Sequence, residues 1–288
     1  MARKKFEYFV NYHVAAISLA GKVRRKNEDN FCIDTESLPL LHGNTPIHKQ
    51  VMSNRVPHIV GVFDGMGGHN DGEKASYYAS LSICSASTRL ETENNYGQLL
   101  SDFCIEANEK VCEKADGSMM GTTCALLCLH GNGYTACNVG DSPIFLVRDG
   151  RMEQLSMDHN ERALYEKITG RPAPQKQKFR LTQYLGIPSE EMMIEPFVTA
   201  GSLQHRDVML LCSDGLTDML SKDEILETIG ASETPERMVS ALSERAMQAG
   251  GKDNITIICV KVERKPALAV RILNKIRIVA NKERKRRG

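Results

Sequence analysis

The sequence predicts an α+β layered sandwich, a fold in which antiparallel strands form the centre and helices pack outside them. Two observations support this class. Short apolar runs follow one another at hairpin spacing, with the turns HGNG, GDSP and RDG between or beside them, and such turns join antiparallel strands. Two pairs of helical segments are inserted among these runs instead of alternating with them, which argues against a βαβ fold.

The first part of the chain is predicted to contain mainly strands. Residues 7–20 alternate loosely, which favours a strand, and NEDNFCID indicates a second strand after a charged turn. Residues 35–57 contain three prolines and little periodicity, so we expect a connecting loop or a hairpin extension there. The short apolar run at 59–63 is typical of a buried strand.

Helical signals follow. Asn70 or Asp71 is a candidate N-cap for a helix that reaches residue 89. A second helix is predicted over 96–114, because its apolar residues recur on one stripe. The strands that the hairpin turns connect come next, at 122–129, 134–139 and 144–148.

The last part of the chain mixes both kinds of element. Residues 156–180 are polar and predict one short helix followed by a turn-rich link. Ser221 and Thr234 are suitable N-caps for the two helices that come later. The predicted elements are a helix at 158–168, a strand at 207–212, helices at 221–229 and 234–249, and a closing strand at 255–262.

Four aspartates stand at the ends of apolar runs: Asp64, Asp141 and Asp214 follow their runs, and Asp253 precedes one. Neighbouring antiparallel strands run in opposite directions, so an end and a start can share one edge of a sheet. Carboxylates gathered there repel one another unless cations lie between them. Because oxygen ligands favour hard ions, the sequence predicts a site for Mg²⁺ or Mn²⁺.

The composition argues against several other classes of protein. Hydrophobic residues make up 41% of the chain and charged residues 25%, as in ordinary globular proteins. No run approaches the roughly 18 apolar residues of a membrane span, and the N-terminal segment does not fit a secretory signal peptide. The nine cysteines include no CxxC pair, which disfavours zinc and redox dithiols. Reduced core thiols favour a cytoplasmic location.

The charge is distributed unevenly. Residues 264–288 hold ten Lys/Arg and one Glu, whereas the rest of the chain holds 27 basic and 35 acidic residues. The acidic body and the basic tail are therefore expected to have different roles. The tail could contact an acidic partner, an anionic membrane surface or RNA, or it could be a disordered solubilising segment. No DNA partner is expected.

Eight motifs occur in a familiar order: VRRKNEDN, VFDGMGGH, GTTCALL, NVGDS, SMDHN, LTQYLG, LLCSDGLTDML and GGKDNITII. With them the chain resembles the PP2C-type (PPM) metal-dependent protein serine/threonine phosphatases, most closely the bacterial subgroup, over residues 23–262. The resemblance implies a four-layer αββα sandwich with two central antiparallel β-sheets. It further implies a catalytic domain at 1–262, with a flap at about 158–180, and a basic tail at 263–288.

The resemblance assigns metal ligands to positions of this sequence. Asp64 matches the ligand that bridges two metal ions, and Gly65 matches the residue that lends a backbone carbonyl to one of them. Asp214 and Asp253 match the other carboxylates of the first metal. Glu28 matches the acid that reaches the second metal, often through water.

Four further residues receive roles from the same comparison. Asp141, with Asp214, matches a weaker third-metal site of bacterial members. Asn254 is expected to support Asp253, and Asp29, which follows Glu28, is expected to play a supporting role in the same acidic turn. Arg24 stands at the spacing of the family's phosphate-binding arginine, whose guanidinium can hold two phosphate oxygens at once.

The implied chemistry is hydrolysis of phosphoserine and phosphothreonine by a water that two Mn²⁺ or Mg²⁺ ions activate, without a phosphoenzyme. No cysteine lies in a CX₅R phosphate cradle, which argues against the thiol phosphatases. Two positions depart from the family pattern. Met66 stands where some relatives have a histidine proton donor, and Pro143 stands where related motifs have arginine.

The implied partners are phosphoproteins, among them a bacterial Ser/Thr kinase and its targets. Two alternatives remain: a phosphatase of a phosphorylated anti-sigma antagonist, and a pseudophosphatase that only binds phosphoproteins. The complete acidic set argues against the second. The predicted flap could bias substrate choice or could be a solvated loop only, and any single Asp-Gly after a strand is usually just a turn.

Overall fold

The computed structural model describes residues 8–66, 71–116, 119–174 and 179–266. Within these ranges the chain forms twelve strands, six α-helices and one short 3₁₀-helix. The tail from residue 267 onward, and with it the partners considered for the tail, lies outside the described residues.

The first sheet consists of six antiparallel strands in the order β4–β1–β12–β11–β8–β9. Its central pair, β1 and β12, is aligned over twelve residues, from Tyr8 opposite Pro266 to Leu19 opposite Ile255. The strands are β1 (Tyr8–Leu19), β4 (His48–Ser53), β8 (Ile144–Arg148), β9 (Arg151–Gln154), β11 (Val208–Cys212) and β12 (Ile255–Pro266).

The second sheet is also six-stranded and antiparallel, in the order β10–β7–β6–β5–β2–β3. Its centre is formed by β5, β6 and β7, which carry the apolar runs recognised in the sequence. The strands are β2 (Asn30–Ile33), β3 (Glu36–Ser37), β5 (His58–Phe63), β6 (Cys124–His130), β7 (Gly133–Val139) and β10 (Phe197–Ser202).

Helices cover the outer faces of the sheets. Ser221 caps its helix through a capping box with Glu224, and Thr234 caps the next helix, as predicted. None of the helices in the described ranges is both long and apolar enough for a bilayer crossing. The helices are α1 (Gly72–Ala86), α2 (Tyr96–Ala115), α3 (Glu161–Thr169), α4 (Asp214–Thr217), α5 (Lys222–Gly230) and α6 (Pro235–Gln248), and the 3₁₀-helix Ser87–Glu91 follows α1.

Three apolar cores separate four layers. One lies between the two sheets, one between the second sheet and α1 with α2, and one between the first sheet and α5 with α6. β12 contributes to two of them: Ile257 and Cys259 face the α5–α6 side, and Ile258 and Val260 face the other sheet. This follows from the alternation of side chains along a strand. The four-layer αββα prediction is confirmed.

The structure corrects several element predictions. The segment 35–57, expected to be a connecting loop or a hairpin extension, contains β3, which forms a hairpin with β2. It also contains the edge strand β4, which pairs with β1 from Asn11 opposite Ser53 onward. β9 and β10 were not predicted, because these short strands are largely exposed or half-exposed and have no apolar run. The closing strand continues to Pro266 instead of ending at 262, since β1 supplies backbone partners that far. The short helix begins at Glu161, because Asn160 caps it.

Candidate metal centre and active-site cleft

Four aspartates line one open cleft of about 770 Å³. Asp64 and Asp141 follow β5 and β7, which run in the same direction because both are antiparallel to β6. Asp214 follows β11 and Asp253 precedes β12, and these strands are antiparallel neighbours. Each sheet therefore brings two aspartates to the same end of the sandwich. The sequence predicted a single sheet edge, whereas the site lies between the edges of two sheets. We call these four residues the acidic cluster.

Asp64 is held at the centre of the cluster by its backbone. Its amide donates to Thr123 Oγ1 at 3.0 Å, and its carbonyl accepts from the Thr122 hydroxyl and from the Thr123 amide, each at 2.9 Å. The Asp214 amide donates to Asp64 Oδ2 at 3.4 Å. These bonds fix the end of β5 against β6 and place the Asp64 carboxylate next to the start of α4.

Gly65 allows three backbone segments to approach closely. A Cβ atom at this position would lie 2.3 Å from the Glu28 carbonyl oxygen and 2.4 Å from the Gly72 carbonyl oxygen. No side chain fits in that space, so glycine is required here. The loop that carries Glu28 and the first turn of α1 consequently pack against the Asp64–Gly65 segment.

Arg24 is an ion-pair partner within the site. Its Nη2 atom donates to Asp253 Oδ2 at 2.7 Å, and its Nη1 atom lies 3.8 Å from Glu28 Oε2. The Arg24 side chain lines the cleft beside Asp64. The sequence comparison placed Arg24, Glu28 and Asp253 in one site, and the structure brings these side chains together.

Asn254 and Asp29 are buried residues beside the acidic cluster. Asn254, only 3% exposed, accepts from the Glu28 amide at 2.8 Å and donates to the carbonyls of Ala20 and Lys26 at 2.9 and 2.8 Å. It thereby ties the Arg24–Glu28 loop to the start of β12. The backbone amide of Asn254 donates to Asp253 Oδ1 at 2.9 Å.

Asp29 lies deeper than Glu28, with 1% of its surface exposed. Its Oδ2 atom accepts from Ser213 Oγ at 2.7 Å, and this hydroxyl in turn accepts from the Thr256 amide at 3.0 Å. The side chain of Asp29 thus contacts Ser213, beside Asp214, and the supporting role expected for Asp29 stays a prediction.

Burial and mutual repulsion make the carboxyl groups of Asp64, Asp214 and Asp29 hard to ionise. Burial raises the pKa of Asp64 well above its usual value, and the charges of Asp29, Asp214 and Asp253 raise it further. Burial also raises the pKa of Asp214 to about 7, with Asp218 the next contributor. The pKa of Asp29 is likewise raised to about 7 by burial, although the Ser213 hydrogen bond opposes the shift.

Asp141 is positioned by the segment that enters α3. Asn160 Nδ2 donates to Asp141 Oδ2 at 3.2 Å, and the Asn160 side chain also caps α3 by accepting from Ala163 N. Burial raises the pKa of Asp141 above its usual value. Asp158 and Asp218 face the same part of the cleft.

The donor set fits hard divalent cations, since every candidate ligand offers oxygen. Among the described residues, no ion pair joins Asp64, Asp141 or Asp214 to a basic side chain, so their charges require another cation. In the same ranges, no group of three or more His, Cys, Asp or Glu side chains forms a ready-made metal cage. A cation bound here would need further oxygen donors, and Mg²⁺ commonly takes them from water; the backbone of Gly65 lines the same cleft.

The two departures from the family pattern lie at the cleft. Met66 and Pro143 both line it. The Met66 amide donates to the Gly121 carbonyl at 2.9 Å, and the Pro143 carbonyl accepts from the Cys212 amide at 3.3 Å. The thioether has no proton to donate and the Pro143 ring has no charge, so neither residue takes the role of the residue it replaces.

Several residues of the site were missed by sequence reasoning. Asp218, Thr123 and Asn160 line the cleft. Asp218 could have been found because it stands one helical turn after Asp214 in SDGLTD. The other two stand within the motifs GTTCALL and SMDHN, but their contacts with Asp64 and Asp141 join distant parts of the chain and are not visible in the motifs.

The chain matches a known protein family over most of its length. The model described as Protein phosphatase 2C matches residues 48–253. A protein phosphatase named PhpP, from Streptococcus pneumoniae, is 32% identical over 213 residues, which cover 71% of this chain and 85% of that protein.

Solved structures share the fold. The serine/threonine phosphatase PstP/Ppp of Mycobacterium tuberculosis is 26% identical with a TM-score of 0.70, covering 88% of this chain and 99% of that one. A structure of the PstP catalytic domain in complex with two manganese ions is 27% identical with a TM-score of 0.67, at the same coverage.

Proposed function

Because the chain belongs to the protein phosphatase 2C family and is thus a serine/threonine protein phosphatase, we propose that it removes phosphate from phosphoserine and phosphothreonine with two divalent cations, Mn²⁺ or Mg²⁺. The observation that carries the proposal is the acidic cluster, whose half-buried carboxylates line one open cleft. The two manganese ions of the PstP catalytic domain support the same stoichiometry.

We assign the metal-binding role to the residues that meet in this cleft. Asp64 would bind both ions, since it lies at the centre of the cluster. The other ligands would be Glu28, the Gly65 carbonyl, Asp214 and Asp253, and Asp141 with Asp214 would hold a weaker third ion. When bound, the ions would supply a hydrolytic nucleophile at neutral pH and neutralise charge on the phosphoryl group.

Arg24 would bind the phosphate oxygens of the substrate. Its guanidinium carries five N–H groups, and the bond to Asp253 orients it while leaving others to face the cleft. A guanidinium can donate two parallel bonds to one phosphate. Arg24 would thus orient the phosphoryl group and stabilise its charge during hydrolysis.

The absence of a thiol nucleophile at the cleft supports direct hydrolysis. Within the described residues no cysteine lines the cleft, and eight of the nine cysteines are buried. Burial raises the pKa of Cys212, which directly precedes Ser213–Asp214, so this thiol is a poor nucleophile at neutral pH. A covalent phosphocysteine intermediate therefore has no candidate residue there.

We further propose that the substrates are phosphoproteins, among them a bacterial Ser/Thr kinase and its targets, in the cytoplasm. The cleft is open enough for a phosphorylated segment of a protein. Asp158, Arg162 and Glu166, around the start of α3, form part of its wall, and they could influence which segment binds.

Two substrates test the activity. We expect p-nitrophenyl phosphate and a phosphothreonine peptide to be hydrolysed only when Mn²⁺ or Mg²⁺ is added to chelator-treated protein. Turnover that is independent of metal would refute the proposed chemistry. Binding of the phosphopeptide without turnover at any metal concentration would instead identify a pseudophosphatase.

A further inference from the structure

Glu73 is a buried acid near the metal centre that the proposed hydrolysis leaves without a role. It lies in the first turn of α1 and is 7% exposed. Its Oε1 atom accepts a hydrogen bond from Lys26 Nζ at 2.5 Å, whereas its Oε2 atom is buried and has no hydrogen-bond partner among the residues that the structure describes. Since a buried carboxylate oxygen is rarely left unpaired, Oε2 indicates a ligand that these residues do not supply.

The first turn of α1 is fastened to the segments that carry Glu28 and Gly65. Ser76 Oγ, one turn after Glu73, donates to the Glu28 carbonyl at 2.6 Å. The Gly72 carbonyl, just before Glu73, lies so near Gly65 that a Cβ there would approach it to 2.4 Å. Glu73 therefore belongs to the same packed unit as Glu28 and Gly65.

Glu73 and Glu28 repel each other. Burial raises the pKa of Glu28, and the Glu73 carboxylate is the next contributor. The nearby charges of opposite sign are Arg24, which lies near Glu28, and Lys26, which contacts Glu73. The Lys26 side chain is 64% exposed, so it can leave Glu73 without opening the core.

A structural role alone explains part of this arrangement. An acid in the first turn of a helix interacts favourably with the helix dipole, and the Lys26 pair adds to this. Neither effect accounts for the unpaired and buried Oε2 atom. A divalent cation that Glu73 and Glu28 share would account for it, because it would relieve their repulsion and satisfy the free oxygen.

We propose that Glu73 is a positioning residue of the metal centre, which together with Glu28 holds the hydrated divalent cation on the Gly65 side of Asp64. This inference rests on the proposed function. Lys26 holds the other carboxylate oxygen of Glu73, and its positive charge opposes the binding of a cation at Oε2. Removal of Glu73 should therefore weaken cation binding, and removal of Lys26 should strengthen it.

Calorimetric titration of the full chain with Mn²⁺ alone tests the proposal. Glu73→Gln is expected to weaken one class of Mn²⁺ sites about tenfold, as is common for groups that act behind the direct ligands. Lys26→Gln is expected to tighten the same class severalfold, and Glu73→Asp should recover part of the affinity. The matched control is Glu106→Gln. Glu106 lies on α2 and pairs with Arg89 at 2.8 Å, and its substitution should leave the Mn²⁺ isotherm unchanged.

The outcomes separate this proposal from the one it rests on. If the wild-type chain binds no Mn²⁺, the proposed metal centre itself fails. If the wild-type chain binds Mn²⁺ and Glu73→Gln leaves the isotherm unchanged, the role of Glu73 is refuted. Should Glu73→Gln not fold, Lys26→Gln decides: unchanged or weaker binding overturns the proposal, because a purely structural ion pair predicts that result.

Discussion

The backbone amide of Glu28 donates a 2.8 Å hydrogen bond to the side-chain oxygen of Asn254, a residue 226 positions away. The Asn254 amide group also holds the carbonyls of Ala20 and Lys26. A single buried side chain thus attaches the Arg24–Glu28 loop to the strand that begins after Asp253.

Asn254→Ala is expected to weaken both stability and metal binding. The substitution leaves three partly buried backbone groups without their side-chain partner, and each lost bond costs about 1 kcal/mol. It also frees the loop that positions Glu28. Thermal unfolding and Mn²⁺ titration measure the two effects.

The control for this prediction is Asn108→Ala. Asn108 is also buried and holds the backbone of Gly186 and Ile187, but it lies on α2, outside the cleft lining. It should lower stability without a change in Mn²⁺ affinity. Equal Mn²⁺ affinities for Asn254→Ala and the wild type would contradict the positioning role of Asn254.

Asp214→Asn is expected to abolish turnover and to stabilise the protein in chelator at neutral pH. The change removes one charge from a group of buried carboxylates that repel one another. We expect Tm to rise by at least about 3 °C. Glu109→Gln, an exposed substitution on α2, should change neither property. Retained turnover would remove Asp214 from the ligand set.

Stability in chelator should fall as the pH rises toward neutrality. Asp29 and Asp214 have pKa values of about 7 in the folded state, compared with about 3.9 in an unfolded chain. Between these values the unfolded chain releases protons that the folded chain retains, so the free energy of unfolding decreases from about pH 4 to about pH 7 and is constant above.

Thermal unfolding between pH 5.5 and 8 measures this trend. Asp214→Asn should flatten the decline, and Mn²⁺ should raise Tm more at pH 8 than at pH 5.5, because cation binding competes with protons for the same oxygens. A Mn²⁺-induced rise in Tm that is equal at both pH values would show that these carboxylates do not bind the cation.

Arg24→Lys is expected to raise KM for a phosphothreonine peptide about tenfold, because an ammonium group cannot donate two parallel bonds to a phosphate. Arg25→Lys is the matched control, since its neighbouring side chain is exposed and outside the cleft lining. Steady-state kinetics at saturating Mn²⁺ measure KM for the Arg24→Lys and Arg25→Lys variants. Equal KM values for both variants would place phosphate binding elsewhere.

The strands that carry the acidic cluster could be predicted from the sequence, because the ends of β5, β7 and β11 are marked by apolar runs followed by aspartate. That two different sheets supply the cluster could not be predicted in this way. It depends on which strands pair, and β11 pairs with β12 and β8 instead of with β5. The exposed edge strand β4 was missed for the same reason, since its partner β1 lies far back in the chain.

The supporting residues of the site were less visible in the sequence. Asn254 stands next to an aspartate and could be inferred from that position, whereas the contact between Asp29 and Ser213 joins residues 184 positions apart. Glu73 looks like an ordinary acid near a helix start. Only the packing of α1 against the segments of Glu28 and Gly65 reveals that it lies beside them.

Phosphate release from a phosphothreonine peptide, measured on chelator-treated protein during titration with Mn²⁺, tests the central claim most directly. We predict no turnover without metal, saturable activation by Mn²⁺ in the wild-type chain, and none at any Mn²⁺ concentration in folded Asp64→Asn. Turnover in excess chelator, or full Mn²⁺ activation of Asp64→Asn, would contradict the claim that the acidic cluster holds the ions that hydrolysis requires.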